Sequence, residues 1–495
     1  MEFLENKSVF IIGALGFLGK IMVEKILRVQ PNVKKLYILV RTTDEITAAQ
    51  RFYYEVVGKD LFTRLKDKWR GDLNTLISEK VRLVAGDISL PNMGLKDSNL
   101  LEEMKNQVEI IVNLAATTKF YERYDVAFGT NTLGAKHVLG FAKQCSNLQV
   151  LVHVSTAYVS GEKKGLILET PYEMGKSLYQ TTSLNIETER IVVEETLNEL
   201  RNNGGTEERT TLAMKQLGLK RAMMHGWPNT YVFTKAMGEM VVSDQKDHLP
   251  LVIIRPTVIT STCKEPFPGW IEGVRTIDSL IVGYAKGKLT SIPCDNNSIL
   301  DVIPADMVVN TIVMAIVAHK LQPSSQRIYH VGSSLRNSMR YIDLKNFLFQ
   351  YFIEKPWIDE DGNAIKVKKI IVFNNMASFR RHMSIRYLIF LKVLEFANKA
   401  SCHSLEDLYA DLKRKFDWMV RLTELYRPYL FFDARFDDTN LEKLRIATQD
   451  IDRDANTLFL DPRDINWEDY FVNIHIPGLV KHVQNKFQKQ IVLPQ

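Results

Sequence analysis

A tyrosine and a lysine four residues apart, Tyr231 and Lys235, are the side chains of this sequence best suited to chemistry. A phenol has a pKa of about 10, and a neighbouring ammonium group favours its ionised form and eases proton donation near neutral pH. Two hydroxyl residues, Ser155 and Thr156, end a strand-like run upstream. One such hydroxyl, with Thr156 the favoured one, could bind a carbonyl oxygen that becomes negative during hydride attack. The set predicts a carbonyl reductase.

Spacing alone does not select this pair, because Tyr-x-x-x-Lys occurs six times in the chain. Residues four apart share one face of a helix, so packing and chance produce many such pairs. The other five pairs are Tyr172/Lys176, Tyr284/Lys288, Tyr341/Lys345, Tyr351/Lys355 and Tyr409/Lys413. Tyr231 is distinguished by what precedes it, which is a glycine-rich turn and then the strand that ends in hydroxyl residues.

The glycine-rich turn predicts a dinucleotide-binding site. Gly13, Gly16 and Gly19 follow an apolar strand and open a helix, with Phe17 and Leu18 between the second and third glycines. Glycines at these positions permit a tight turn, close approach of the backbone to a diphosphate, and close packing of helix on strand. The free N–H groups of the helix N-terminus would bind the phosphates.

Five further residues are predicted to contact the cofactor. Arg41 ends the second strand, where an acidic residue binds the ribose of NAD and an arginine suits the 2′-phosphate of NADPH. Asp87 ends the third strand and could accept a hydrogen bond from the adenine amine. Asn113 and Ala115 follow the fourth strand, where small residues let the cofactor lie against the sheet. Asn131 could support Lys235 through water, or could equally be a packing amide.

Seven apolar runs alternate with helical stretches and predict a doubly wound, parallel α/β sheet whose ligands lie at the carboxyl ends of the strands. The predicted strands are Val9–Ile12, Lys35–Val40, Val81–Ala85, Ile110–Asn113, Val150–Ser155, Leu251–Arg255 and Arg327–Val331. Residues of about 162–225 are predicted to be a helical insertion that covers the active site. The domains are predicted as a reductase domain at 1–350 and a mostly helical domain at 351–495.

The composition is that of a soluble globular protein. The chain has 495 residues, 25% of them charged, and a net charge of only +6, which does not argue for nucleic acid. The four cysteines, Cys145, Cys263, Cys294 and Cys402, have no paired metal spacing, so no metal site is predicted. We expect no transit or signal segment. The sequence also has no apolar run of about 18 residues, so no membrane-spanning helix is expected.

Several local motifs resemble the plant alcohol-forming fatty acyl-CoA reductases, which belong to the extended short-chain dehydrogenases. They are Gly16–Gly19, Leu39–Arg41, Asn113–Thr118, His153–Val159, Gly226–Lys235, Ile254–Thr257, Glu265–Trp270, Phe436–Asn440 and His475–Gly478. The resemblance covers nearly the whole chain. It implies a Rossmann-type fold and NADPH-dependent reduction of a long-chain acyl-CoA to a primary alcohol through a bound aldehyde. Ile12 and Leu15 depart from the family pattern, which usually has threonine at these positions.

Two alternatives compete with this interpretation. One is an extended reductase or epimerase that acts on a sugar nucleotide or a sterol, although the long helical C-terminus argues against it. The other is a catalytically weak NADP-binding protein, which the departures at Ile12 and Leu15 would suit.

A basic stretch at about 362–399 predicts peripheral membrane association. It holds eight basic residues and one acidic residue, Glu395. Its apolar residues are Ile385, Leu388, Ile389, Leu391, Leu394 and Phe396. A basic amphipathic helix can lie among lipid headgroups, or it can pack on the rest of the protein. The expected location is the cytosolic face of the endoplasmic reticulum, partly by family resemblance, or the cytoplasm.

Overall fold

The computed structural model describes residues 2–179, 182–321, 326–401, 404–449 and 458–492. Thirteen strands lie within these ranges. They are β1 Ser8–Ile12, β2 Lys35–Arg41, β3 Val81–Gly86, β4 Ile110–Asn113, β5 Val150–Val154, β6 Gly165–Ile167, β7 Leu251–Pro256, β8 Val258–Thr260, β9 Ser291–Pro293, β10 Val302–Pro304, β11 Gln326–Val331, β12 Ile371–Phe373 and β13 Ala434–Phe436.

Nineteen α-helices within the described residues surround the strands. They are α1 Phe17–Val29, α2 Glu45–Phe52, α3 Thr63–Trp69, α4 Leu73–Lys80, α5 Ser98–Gln107, α6 Tyr124–Ala127, α7 Gly134–Ala142, α8 Ile186–Asn202, α9 Glu207–Met224, α10 Thr230–Asp244, α11 Ile277–Ala285, α12 Ala305–Leu321, α13 Tyr341–Glu354, α14 Met376–Met383, α15 Ile389–Ala400, α16 Glu406–Leu430, α17 Thr439–Gln449, α18 Trp467–Asp469 and α19 Ile476–Val492. Shorter π-helical segments join some of them, including Phe128–Leu133 between α6 and α7.

The predicted doubly wound sheet is confirmed. Seven strands pair in the order β11-β7-β5-β4-β1-β2-β3, and every pairing is parallel. All residues of β1, β4, β5 and β7 are buried, as expected for strands that are covered by helices on both faces. The chain order reverses between β1 and β4, and the crevice at such a switch point is where open α/β sheets bind ligands.

The C-terminal third is mostly helical, and it also contributes one strand to each of two two-stranded sheets. Strand β13 pairs with β6, and β12 pairs with β9, both in parallel. Helix α13 runs across residue 350, the point at which the sequence divides into two predicted domains. The two parts therefore share secondary structure as well as a contiguous apolar core.

One face of the helical segment at 384–400 lies open to solvent. Ile385, Ile389, Val393 and Phe396 are 58%, 56%, 62% and 77% exposed, and their spacing places them along one side of the helix. Leu391 and Leu394, from the same predicted apolar set, are buried, so that set is divided between the protein core and the surface. Among the described residues, no helix is long and apolar enough to cross a bilayer.

Three of the four cysteines, Cys145, Cys263 and Cys294, are free thiols in buried positions. Burial raises the pKa of each of them to about 12, which leaves them protonated and unreactive at neutral pH. Cys402 lies outside the described residues.

Candidate active site

The glycine turn between β1 and α1 is shaped for close approach of a ligand. Gly13 has a φ of +89°, in the left-handed region that favours glycine, and a Cβ there would lie 2.6 Å from the backbone nitrogen of Ala115. A Cβ on Gly19 would lie 2.3 Å from the carbonyl oxygen of Gly13. Gly16 precedes the helix directly, and Phe17 and Leu18 form its first turn. Side chains at Gly13 and Gly19 would therefore collide with neighbouring backbone, so glycine at these positions keeps the turn tight and α1 close to β1.

A cavity of about 380 Å³ opens at the carboxyl ends of β2 and β3. Arg41 and Asp87, two predicted cofactor residues, both line it, and Lys96 adds a second cation that sequence reasoning missed. Arg41 is exposed, whereas Asp87 accepts hydrogen bonds from the backbone and hydroxyl of Ser89 at 2.9 and 2.7 Å. The cavity lies beside the carboxyl ends of β2 and β3, where the adenosine end of a dinucleotide is expected, and its lining carries the two cations Arg41 and Lys96 together with four carboxylates.

The two hydroxyl residues at the end of β5 have different surroundings. The Thr156 hydroxyl accepts from the backbone N–H of Tyr158 at 3.3 Å, donates to the carbonyl oxygen of Pro256 at 3.4 Å, and lies close enough to the Tyr231 phenol to lower its pKa. Ser155 is buried, and its hydroxyl has no partner among the described residues. Thr156 is therefore the hydroxyl that lies against the phenol, as the sequence favoured.

Tyr231 lies in the first turn of α10, which carries both members of the pair. Asn229 caps this helix by accepting from the backbone N–H of Val232 at 3.1 Å. Burial raises the pKa of Tyr231 to about 12, while the Thr156 hydrogen bond and the charge of Arg275 act in the opposite direction. The phenol is therefore protonated at neutral pH, which is the state that a proton donor needs.

Lys235 is buried, and its ammonium group donates to the carbonyl oxygen of Val154 at 2.7 Å. Burial lowers its pKa to about 8. The expectation that Lys235 lowers the pKa of Tyr231 differs from the structure, in which Arg275 is the cation with that effect. The reason is geometric, since the Lys235 ammonium is directed to the end of β5 rather than to the phenol.

The two predicted asparagines mainly hold the backbone in place. Asn113 is buried, accepts from the backbone N–H of Ala115 at 3.2 Å and lies 3.4 Å from His153. The Asn131 amide is bonded to the backbone of Thr117 at 3.0 and 3.1 Å and to the hydroxyl of Thr234 at 2.9 Å. None of these bonds involves Lys235, so the structure supports the packing alternative for the Asn131 side chain.

Aromatic residues that sequence reasoning missed surround Tyr231. Phe120 stacks on Tyr231 with ring centroids 6.0 Å apart, and it also contacts Tyr426 and Tyr429 of α16. The Tyr429 hydroxyl accepts from the Asn229 amide at 2.9 Å, so a helix of the C-terminal part contacts the cap of α10. No local motif marks these residues, because they come together only through tertiary packing.

Solved structures with a similar fold agree with the doubly wound parallel sheet described above. The solved terminal reductase domain of the myxalamid pathway superimposes with a TM-score of 0.57 at 14% identity, covering 97% of this chain and 91% of that domain. A nonribosomal peptide synthetase reductase domain from Mycobacterium tuberculosis gives 0.57 at 16% identity, covering 98% and 92%. This likeness, together with the parallel sheet and the glycine turn, shows a Rossmann-type fold.

Sequence relatives narrow the class to a family. Profiles described as male sterility protein match residues 11–312, in a dinucleotide-binding domain, and residues 386–486. An alcohol-forming fatty acyl-CoA reductase of Simmondsia chinensis is 51% identical, with 98% of this chain and 99% of that protein covered. Fatty acyl-CoA reductase 1 of Arabidopsis thaliana is 49% identical, with 98% of each covered. The chain belongs to the fatty acyl-CoA reductase family, as the sequence resemblance indicated.

Proposed function

We propose that this protein reduces long-chain fatty acyl-CoA to the primary alcohol, with NADPH as the reductant and release of CoA. The observation that carries the proposal is the Thr156–Tyr231 hydroxyl pair, one helical turn from Lys235, in a chain whose family reduces acyl-CoA. Incubation with NADPH and palmitoyl-CoA or longer thioesters, followed by lipid extraction, should yield fatty alcohol. Recovery of the unchanged thioester would reject the proposal.

The side chains of the pair have separate tasks in this reaction. Each NADPH, when bound, would supply one hydride, so two molecules of NADPH in turn would reduce the thioester carbonyl and then the aldehyde carbonyl. Thr156 and Tyr231 hold the carbonyl oxygen by hydrogen bonds that strengthen as the oxygen becomes negative. Collapse of the first tetrahedral species breaks the carbon–sulfur bond and expels CoA thiolate. Tyr231 gives its proton to the final alkoxide, which its protonated state at neutral pH allows.

The cofactor residues proposed from the sequence fit a dinucleotide. The side-chain-free surface at Gly13, Gly16 and Gly19 would receive the diphosphate, and Phe17 and Leu18 would lie beside it. The cavity with Arg41 and Asp87 would receive the adenosine. The ammonium group of Lys235 lies at the end of β5 and would hold the nicotinamide ribose there. Asn113, Ala115 and Asn131 would fix the backbone that borders the cofactor.

Arg41 should determine the preference for NADPH over NADH. A charge-assisted hydrogen bond to the 2′-phosphate contributes roughly 1.5–3 kcal/mol, which corresponds to about 10- to 100-fold in affinity. We expect Arg41→Ala to raise the Kd of NADPH by that factor and to leave the Kd of NADH nearly unchanged, as measured by fluorescence titration. Arg201→Ala, which removes an exposed arginine at the end of α8 and outside the cavity, is the matched control. Equal losses for both cofactors would contradict the assignment.

The alternative of a catalytically weak NADP-binding protein would need a defect in the site. Ile12 is buried in β1, and Leu15 packs against the core, so both residues fill apolar space at positions where the family usually has threonine. The tight turn at Gly13, Gly16 and Gly19 is formed with these two residues in place. We therefore infer an active enzyme, and no observation favours a sugar nucleotide or a sterol as the substrate.

We propose two domains, a reductase domain at 1–350 with the insertion at about 162–225, and a helical domain at 351–495 that closes the active site. Helices α8 and α9 of the insertion lie against the apolar cluster that contains Tyr231. Tyr429 of the helical domain is bonded to the cap of α10. The second domain should therefore be needed for turnover as well as for folding.

We also propose that residues of about 362–399 rest on the cytosolic face of the endoplasmic reticulum membrane. The exposed side of the helical segment, with Ile385, Ile389, Val393 and Phe396, supports an interfacial position, and Arg380, Arg381, Arg386 and Lys392 are exposed near it. Each cation near an anionic surface contributes about 1 kcal/mol. A long acyl chain could reach the enzyme from the same membrane.

Vesicle flotation tests this placement. With anionic vesicles at low salt the protein should float, and high salt or Arg380→Glu/Arg381→Glu/Lys392→Glu should release it, because the attraction is electrostatic and is screened by salt. Lys164→Glu/Arg201→Glu/Arg209→Glu makes the same charge change at exposed positions outside 362–399 and should still float. Protein that sediments at every salt concentration would contradict the proposal.

A further inference from the structure

Arg275 is an exposed cation whose side chain has no hydrogen bond or ion pair to any residue that the structure describes. Its guanidinium group lies 5.8 Å from the ring centre of Phe17, the first residue of α1. Phe17 in turn stacks on Trp270, with ring centroids 5.3 Å apart. The guanidinium is therefore located beside the N-terminus of the helix that follows the glycine turn.

The backbone that carries Arg275 is held firmly, although its side chain is not. Glu272 forms an ion pair with Lys20 of α1, and the Gly273 N–H donates to His482 at 3.0 Å. The Arg275 N–H donates to the carboxylate of Asp278 at 3.2 Å. The backbone of Arg275 is thus anchored, and its guanidinium N–H groups have no acceptor among the described residues. Such a group is available to bind an anion.

The residue after Arg275 has an unusual backbone. Thr276 has a φ of +39°, which a β-branched residue rarely adopts. Such strain persists only where the surrounding structure enforces it, and it concentrates at ligand-binding segments. On one side of Thr276 the Arg275 N–H donates to Asp278. On the other side lies Tyr426, and the neighbouring Ser279 and Thr276 act to lower the pKa of its phenol against the larger effect of burial.

The same segment borders the catalytic centre. The ring of Tyr426 is 5.8 Å from that of Phe120, which stacks on Tyr231. The positive charge of Arg275 also lowers the pKa of Tyr231. Arg275 is thus adjacent to the glycine turn on one side and to the surroundings of the phenol on the other.

We propose that Arg275 binds a phosphate group at the mouth of the active site, as a bidentate guanidinium partner of a diphosphate. This inference rests on the proposed function, which brings two diphosphates to this region, one in NADPH and one in the CoA portion of the thioester. The chemistry of recognition is the same for both. A planar guanidinium matches two phosphate oxygens, and the N–H groups of α1 add to the attraction.

Equilibrium binding and kinetics with Arg275→Ala distinguish the two sources. If the partner is the NADPH diphosphate, the Kd of NADPH should rise at least about 10-fold, with the Kd of palmitoyl-CoA unchanged. If the partner is the CoA diphosphate, the Kd and KM of palmitoyl-CoA should rise by that factor. The KM of S-palmitoyl-N-acetylcysteamine, a thioester without phosphate, should then stay the same. Either pattern supports the proposal.

Two further variants keep the test specific. Arg275→Lys retains the charge without the planar fork and should recover part of the lost affinity, whereas Arg209→Ala removes an exposed arginine of α9 and should change neither constant. Unchanged affinity for both diphosphate ligands in Arg275→Ala would overturn the proposal. So would equal losses for palmitoyl-CoA and for the phosphate-free thioester. Absence of alcohol formation by the wild-type protein would instead reject the proposed function, and the binding measurements would still decide the role of Arg275.

Discussion

Tyr231→Phe should lose at least about 100-fold in turnover while it folds normally and binds NADPH with unchanged affinity. The change removes only the hydroxyl that lies against Thr156, and the stacking on Phe120 remains. General acid catalysis contributes about 10²–10⁴-fold to a reaction rate. Turnover should fall by a factor in this range because the variant has no phenol to protonate the final alkoxide. Steady-state kinetics and a thermal melt of the same preparation give both parts of the result.

Tyr409→Phe is the control for this variant, because Tyr409 belongs to another Tyr-x-x-x-Lys pair and lies on α16 with Lys413 over its ring. It should keep near-normal turnover. Alcohol formation by Tyr231→Phe at the wild-type rate would show that the proton donor has been assigned to the wrong tyrosine. A loss of thermal stability large enough to explain the lost activity would mean that the effect of Tyr231→Phe is structural, which contradicts the expected result.

Lys235→Met should lower turnover by at least about 100-fold and also weaken NADPH binding. The variant keeps the length and apolar stem of the side chain but removes the ammonium group that donates to Val154 at the end of β5. A buried cation is costly to fold, so its removal should leave the melting temperature at neutral pH little changed. The comparison separates loss of a functional charge from loss of structure.

The depressed pKa of Lys235 predicts opposite effects of pH on activity and on stability. Burial lowers its pKa from the ordinary 10.5 to about 8, so the ammonium form disappears as pH rises through about 8, and turnover should fall there. Between pH 8 and 10.5 the unfolded chain binds more protons at this lysine than the folded protein does. The contribution of Lys235 to stability therefore rises with pH in this window. Lys235→Met should abolish the alkaline fall in turnover, and its persistence in the variant would assign that fall to another group.

The sheet could be predicted from the sequence because its signals are local. Each of the seven predicted strands, such as Ile110–Asn113, is an apolar run between helical stretches, and the structure has all seven, with ends that differ by at most one residue. The glycine turn is equally local, since Gly13, Gly16 and Gly19 act through their own backbone and the residues next to it. These features need no knowledge of how distant segments meet.

The remainder of the site depends on such distant contacts. Phe120 and Tyr429 are more than 300 residues apart in the chain, and no periodicity connects them. The direction of the Lys235 ammonium toward Val154, and the approach of Arg275 to Tyr231, are likewise set by tertiary packing. Local signals therefore predict the strands and the glycine turn, whereas the charges that act on the candidate site residues depend on tertiary packing.

The most direct test of the proposed reaction is the fate of deuterium from NADPH labelled at both hydrogens of the reactive nicotinamide carbon. Incubation of the protein with this cofactor and unlabelled palmitoyl-CoA, followed by mass spectrometry of the extracted lipid, counts the hydrides delivered to one carbon. Two successive reductions at one site predict hexadecanol with two deuterium atoms on its hydroxyl-bearing carbon and release of one CoA for each alcohol. Aldehyde as the final product, alcohol with a single deuterium, or no reduction of the thioester would contradict the account.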